Sequence, residues 1–303
     1  MDTHSLRLFV LASEMLNISA AGRALGMAPA VASTRIAKLE RFVGAELLHR
    51  STRKVSVSVE GQEFLPYARE MIAQEEEALA ALGAGQARAK GTLRFAAPST
   101  FAQIYIAPIL PKFMDEHPDL SLDLHLSDTQ FDLIEGSYDL ALRNAVLSDS
   151  SLTARRLAED KRILTASPDY LARCGTPQSP EDLKKHRLIS FRNLDPKELI
   201  SSDGTRAAFD PLDAAQRLVL NDGLTQKRIT KAHAGVSINS LWLVHEELAD
   251  GSLVHVLPDY ELANSPALWL IYPKSNVVSV KVRVFMDFLI ENFGANAPWI
   301  TPR

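Results

Sequence analysis

The 303-residue sequence predicts an α/β body behind a small, basic, helical head, with one long helix between them. Three observations carry this. Residues 1–62 hold eight Lys/Arg against five Asp/Glu, a net charge of +3, although the whole chain is −4. That head is crowded with short helical periods, and residues 61–82 form one long helix-compatible run. From residue 91 onward, strand and helix patterns alternate. The reading divides the chain into a head (1–61), a linker helix and hinge (62–90) and a body (91–303).

The elements follow in order. LRLFVLASEML (6–16) places its apolar residues on one helical face. Ser19 can cap a second helix whose small face is Ala20, Ala21, Ala24 and Leu25, and Gly26 suits the position just past its end. Pro29 would cost about 3 kcal/mol inside a continuous helix but nothing at a first position, so a new helix starts there. Ala32, Ile36, Leu39 and Val43 are its buried stripe. Ser33, Thr34, Ala37, Lys38 and Arg41 fall on the other face, a pattern suited to lying against DNA. Val55, Val57 and Val59 alternate with serines as a strand, a β-wing with Arg50, Arg53 and Lys54 at its shoulder. Ser58 can cap the next helix.

In the long helix, Pro66 fits only in a first turn. Leu65, Ala68, Ile72, Leu79 and Leu82 keep a 3.5-residue spacing that Glu75 interrupts. The stripe suits a dimerising helix; a solvated connector is the other reading. GAGQARAKG (83–91) reads as a hinge. In the body, TLRFAAP and LSLDLHL alternate as strands, FAQIYIAPILPKFMDEH is helical, and TPQSPEDL (176–183) and SDGTR (202–206) are loops.

Composition narrows the function. The one cysteine, Cys174, excludes an internal disulfide and reads as a small buried side chain rather than a redox sensor. The start MDTHS lacks a signal-peptide pattern, and no apolar run approaches the ~20 residues of a membrane span. A cytoplasmic protein without membrane contact is expected. The eight histidines form no HExxH, and CxxC, P-loop and GxSxG patterns are lacking, so no catalytic residue, metal or cofactor is expected. His245-Glu246-Glu247 reads as helix surface. Pro98-Ser99-Thr100 follows the first body strand and opens a helix, where free N–H groups and two hydroxyls suit an anion; simple capping is the other reading.

NISAAGRALGMAPAVASTRIAKLERFVGAELLHRSTRKVSVSVEG resembles the winged helix-turn-helix of LysR-type transcriptional regulators. DLALR (139–143), the stretch 149–186 and HAGVSINSLWLVHEELADGSLVHVLPDY (233–260) resemble that family's effector domain. Ala28, Thr34 and Leu48 depart from the family pattern of a serine, a cation and a wing phenylalanine. The resemblance implies two Rossmann-like subdomains, similar to periplasmic binding proteins, with a ligand cleft between them. They would comprise residues 91–161 with 268–303, and residues 162–267.

It further implies a regulator of promoter DNA, dimeric through the linker helix, tetrameric as a dimer of dimers, with RNA polymerase as a further partner. Ser19, Pro29, Ala30, Ser33, Thr34, Arg35, Lys38, Arg50, Arg53 and Lys54 are then the candidate DNA residues. Ser99, Thr100, Phe101, Thr129, Arg143, Asn144, Phe191, Asn193, Asn221, Asp222 and Gly235 are the candidate contacts for a small, carboxylate-like effector. The competing function is a solute-binding protein of a transport system, against which the basic head argues.

Overall fold

The computed structural model describes residues 1–50, 55–81, 89–129, 138–145, 152–191, 197–210, 214, 216–263, 266–273, 278–294 and 297–299. The chain divides into two compact units, Met1–Gly91 with Ser275–Val284, and Thr92–Lys274 with Phe285–Arg303. Among the described residues no helix is long and apolar enough to cross a membrane.

The first unit begins with α1 (Thr3–Met15), α2 (Ile18–Ala24) and α3 (Pro29–Val43). Asp2 caps α1 by accepting from the Ser5 N–H at 2.8 Å. The cap of α2 is Asn17 rather than Ser19: its Oδ1 accepts from the Ala20 N–H at 2.9 Å. Both residue types cap well, and burial of Ile18 in the core fixes the earlier start. Gly26 turns the chain with φ 70°, and α3 starts at Pro29 without a side-chain cap. Gly22 lets α2 approach α3, since a Cβ there would lie 2.6 Å from Ala32 Cβ. Ala32, Ile36 and Leu39 are buried with Leu6, Leu8 and Phe9 of α1.

The wing pairs β1 (Leu48–Arg50) with β2 (Val55–Val57), antiparallel, Leu48 opposite Val57. The expected strand stops two residues early. Ser58 Oγ accepts from the Gly61 N–H at 2.8 Å, and Val59 opens α4 (Val59–Ala81). Pro66 therefore sits well past the first turn, contrary to expectation, and the helix continues through it without that one N–H. The apolar stripe of α4 also serves another purpose than a second chain. Leu65 and Ala68 are buried in the head's own core, with Phe64 5.8 Å from Phe9 and Ile72 packed alongside. Glu75 continues that seam with polar bonds, accepting from Thr3 Oγ1 at 2.6 Å and Arg7 Nη2 at 3.2 Å on α1. Leu82 and most of the hinge lie outside the described residues.

The second unit opens with β3 (Gly91–Ala97), α5 (Ser99–Phe101), a π turn (Ala102–Ile106), α6 (Ala107–Glu116), β4 (Leu120–Leu126), β5 (Leu140–Ala145) and β6 (Leu152–Glu159). The π turn ends two residues before Pro108, whose missing N–H cannot bond the Ile104 carbonyl in the usual helical way. The chain continues through β7 (Arg162–Ala166), α7 (Pro168–Cys174), a 3₁₀ turn (Pro180–Lys185), β8 (Arg187–Phe191), β9 (Lys197–Ser201), β10 (Arg206–Phe209) and β11 (Gln216–Leu220). It ends with α8 (Gly223–Lys231), β12 (Val236–Ser240), α9 (Leu241–Ala249), β13 (Val254–Val256), β14 (Tyr260–Leu262), β15 (Ala267–Pro273) and α10 (Val280–Phe293).

Two five-stranded mixed sheets result. One has the order β4-β3-β5-β15-β6, with β3 parallel to β5 and β15 antiparallel to both β5 and β6. The other is β11-β8-β12-β7-β13, parallel over its first three strands. A third, antiparallel sheet of β10, β9 and β14 has no counterpart in the sequence reading. The 3₁₀ turn also occupies part of the expected 176–183 loop, because Ser179 and Asp182 form a capping box.

The chain crosses from the first sheet to the second after β6 and returns before β15. The Asp160 N–H donates to the Pro266 carbonyl at 3.3 Å, tying the two crossings together. The fully buried Asp160 carboxylate also accepts from Arg162 Nε at 3.0 Å and Asn144 Nδ2 at 2.6 Å. Two further joints span the sheets. Phe101 packs edge-on against Trp242 at 5.2 Å, and the Tyr105 hydroxyl donates to the Trp242 carbonyl at 2.6 Å. The third joint is Asp128, after β4. Its Oδ1 accepts from the Thr100 N–H at 3.0 Å, and its Oδ2 accepts from the Gly223 N–H at 2.9 Å and from the Thr100 hydroxyl.

Two readings depart from expectation at the surface. Cys174, expected inside, is exposed as the last residue of α7. Glu247, expected outside, is 7% exposed and pairs with Lys227 at 3.0 Å and Lys231 at 3.4 Å, which lets α9 bury a carboxylate against α8.

Asn17→Ala will cost about 1 kcal/mol of first-unit stability and Ser19→Ala at most a few tenths, read from urea unfolding followed by helical circular dichroism. Asp128→Ala will cost the second unit about 2–4 kcal/mol, because two backbone N–H groups lose a charged acceptor. Asp128→Asn should fall between the variant and wild type in the same measurement.

Candidate functional site

The first candidate is the outer face of α3. Pro29, Ala30, Thr34 and Lys38 are exposed, and Ser33 and Arg35 are half-buried. Thr34 Oγ1 donates to the Ala30 carbonyl at 2.9 Å, so the hydroxyl presents its lone pairs outward as an acceptor. Arg35 lies 3.7 Å from Asp2, which holds it toward the α1 N-terminus. Lys38 stands on the open side of a shallow groove that Asp2, Ser5, Thr34 and Phe42 also line. Val31 and Phe42 are exposed on the same helix, at 52% and 65%. Ser19, inside α2, is half-buried; Arg50 is on β1 opposite Val55. Arg53, Lys54 and the rest of the wing tip lie outside the described residues.

Below this face the head is cross-braced by charge. Arg69 Nη2 on α4 donates to Glu14 on α1 at 2.9 Å. The Thr3 hydroxyl, with Arg7 adding to it, holds the Glu75 carboxyl below the usual glutamate range despite its partial burial.

The second candidate is a cavity of about 270 Å³ in the second unit. Its walls are the C-terminal ends of β5, β8 and β12, the residues that follow β3 and β4, the start of β7 and the first turns of α8 and α9; strand ends are where open α/β sheets hold ligands. Of the residues expected there, Thr100, Thr129, Arg143, Asn144 and Phe191 line it. Asn193 lies outside the described residues.

Five of the expected residues do not line this cavity, each for a local reason. Ser99 begins the helix without lining the cavity, and Phe101 turns into an aromatic cluster with Trp242, Phe293 and Trp299. Asp222 is committed to capping α8, accepting from the Thr225 N–H at 2.7 Å, and its neighbour Asn221 is exposed away from the cavity. Gly235 serves packing instead, because a Cβ would lie 2.4 Å from the Arg187 carbonyl oxygen. The anion position expected at Ser99-Thr100 is filled from within the chain, since the Thr100 N–H and hydroxyl are both given to Asp128.

The sequence reading missed Asp128, Arg162, Gln226, Asn239 and Trp242, all of which line the cavity. Asp128 lies two residues past the end of the LSLDLHL strand, so its position near a strand end was the available signal. Gln226 and Asn239 carried none, being single amides in otherwise ordinary helix and strand patterns. The wall thus combines two guanidinium groups, hydroxyls, amides and apolar faces such as Leu142, Ile189 and Ile238. Burial, reinforced by the Glu246 and Glu247 carboxylates, pushes the nearby Tyr105 phenol above the usual tyrosine range, so it acts as a fixed donor.

This arrangement matches known proteins along its length. Residues 3–62 match the bacterial regulatory helix-turn-helix family of LysR type, and residues 86–294 match the LysR substrate binding domain. The HTH-type transcriptional regulator CrgA of Neisseria meningitidis serogroup C is 31% identical over 97% of this chain and 98% of its own. The HTH-type transcriptional regulator DmlR of Escherichia coli is 30% identical over 97% and 95%. The CrgA crystal structure, from N. meningitidis, superposes with a TM-score of 0.61 at 28% identity, covering 97% of this chain and 99% of that one. The full-length Vibrio cholerae virulence activator AphB gives 0.58 at 28%, covering 97% and 100%. The chain therefore belongs to the LysR family of transcriptional regulators, with a DNA-binding head and an effector-binding body, and it is not an enzyme.

Proposed function

We propose that this regulator reads promoter DNA with the exposed face of α3 and adjusts transcription when a small carboxylate effector enters the cavity of the second unit. The observation that carries the first half is the division of α3 into two faces. Ala32, Ile36 and Leu39 are buried, while Pro29, Ala30, Thr34 and Lys38 are presented outward. A helix of this kind fits the major groove, where Pro29 and Ala30 meet a thymine methyl, Thr34 accepts from a base amino group and Lys38 meets phosphate or guanine. Arg50, Arg53 and Lys54 of the wing add phosphate or minor-groove contacts.

The effector half rests on the polar lining of the cavity. Arg143 and Arg162 line it among hydroxyl and amide groups, and Asp160 accepts from Arg162 at 3.0 Å. An effector carboxylate is assigned to the Arg143 side. Because Asp128, Asp160 and the Phe101–Trp242 contact join the two sheets around the cavity, occupancy changes how the sheets are held. A population shift of ~1–3 kcal/mol between two arrangements is enough to alter transcription.

Two heads on one site gain from effective concentration, so the working form is a dimer through α4, paired again into a tetramer on DNA. The buried side of α4 faces its own head. Its open side carries Tyr67, Met71 and Ala78, exposed at helical spacing, and this is the stripe assigned to a second copy. The protein acts in the cytoplasm, where RNA polymerase is the further partner at the promoter.

Lys38→Ala will weaken operator binding about equally for all operator variants and reduce the dependence of log K on log salt by about 1, measured by fluorescence anisotropy. An unchanged slope would remove Lys38 from the DNA face. Met71→Glu combined with Tyr67→Glu will convert the protein to monomers in sedimentation velocity, whereas Ile72→Ala will leave the assembly intact and lower head stability instead.

A further inference from the structure

Asp2 stands at the edge of the reading helix as a fixed negative charge. Its Oδ1 accepts from the Ser5 N–H at 2.8 Å and its Oδ2 from the Ser5 hydroxyl at 3.1 Å, so the carboxylate is held in place. The same Oδ1 lies 3.7 Å from Arg35 Nη1 on α3. Partial burial opposes ionisation, but the Ser5 bonds, with Arg35 and His4 adding to them, hold the carboxyl below the usual aspartate range. A shallow groove runs between the N-terminal end of α1 and this edge of α3, and Arg35 and Lys38 both line it. Asp2 is the one carboxylate on that groove among the described residues.

An ion pair between partly exposed groups is weak, yet it competes with a phosphate for the same guanidinium. The carboxylate also repels any phosphate that comes close to it. A base edge is treated differently. Guanine O6 and N7 are neutral acceptors, and a guanidinium has enough N–H donors to keep Asp2 and meet a base at once. Asp2 therefore weakens the contact that every DNA sequence offers and spares the contact that only a matching sequence offers. We propose that Asp2 is a specificity-determining residue of the head: it withholds Arg35 from phosphate and reserves it for a base edge, lowering affinity for DNA at large more than affinity for the operator. The inference deepens the reading of α3 as the DNA-contacting helix and rests on it.

The test is fluorescence anisotropy of the full chain on two duplexes over a range of salt. One is the duplex that the wild type selects from a random library, the other a scrambled version of the same length and composition. Asparagine and serine cap helices about as well as aspartate, so Asp2→Asn and Asp2→Ser each remove the charge and keep the cap. Either should bind the scrambled duplex about two- to fivefold more tightly, with the slope of log K against log salt steeper by about 1, while the selected duplex gains less. In an Arg35→Gln background Asp2→Asn should leave the slope unchanged, which separates release of Arg35 from the mere loss of a negative charge. Arg35→Gln alone should weaken the selected duplex and leave the slope on the scrambled one unchanged, a comparison that stands even if neither Asp2 variant folds. An unchanged slope in both Asp2 variants, an equal gain on both duplexes, the same gain with Arg35 replaced, or a shallower scrambled slope in Arg35→Gln overturns the inference and leaves the reading of α3 standing. Selection of no duplex by the wild type overturns that reading and this inference with it.

Discussion

The second unit depends on one carboxylate. Asp128 leaves the end of one sheet and accepts hydrogen bonds from the start of the helix after β3 and from the start of α8 on the other sheet. Helix N-termini gather unpaired N–H groups and favour negative charge, so a single anion can satisfy both. The geometry that makes α/β sheets receptive to ligands at their strand ends is thus used in part for internal bracing. What remains open to an effector is the deeper wall, where guanidinium, amide and aromatic groups face the cavity.

The first unit depends on close approach of small residues. Gly22 and Ala32 bring α2 and α3 together, so the buried face of α3 is locked and its outer face is stiff. The same economy extends down α4. Leu65, Ala68, Ile72 and Glu75 secure α4 to α1, which makes the linker a continuation of the head rather than a separate rod. A change in the position of α4 would then be felt by the reading helix without an intervening soft segment.

Much of this was legible in the residue order. Pro29 after Gly26 marked the tight turn, and the steps between Ala32, Ile36 and Leu39 marked the buried face of α3. Alternation in TLRFAAP marked a strand, β3. What the sequence concealed were long-range polar pairings. Glu75 read as a flaw in an apolar stripe because its partners, Thr3 and Arg7, lie some seventy positions earlier. Glu247 read as surface because the lysines that accompany it inside come from a different helix. At the cavity, residue types at strand ends pointed to Thr100, Thr129, Arg143, Asn144 and Phe191, which line its wall. Asp222 misled because an aspartate before a helix serves equally well as a cap. Local pattern specifies elements, and it is silent about which distant group completes a buried charge.

The chain order of the first sheet bears on synthesis. Among the described residues strand β6 is an edge whose sole neighbour is β15, and the whole second sheet is translated between them. At ribosomal speeds of roughly 5–20 residues per second, β6 waits several seconds for its mate. During that interval it is an unpaired edge on a nascent polypeptide, open to pairing with the wrong strand. A premature stop codon upstream of residue 267 leaves β5 and β6 with no strand to join them.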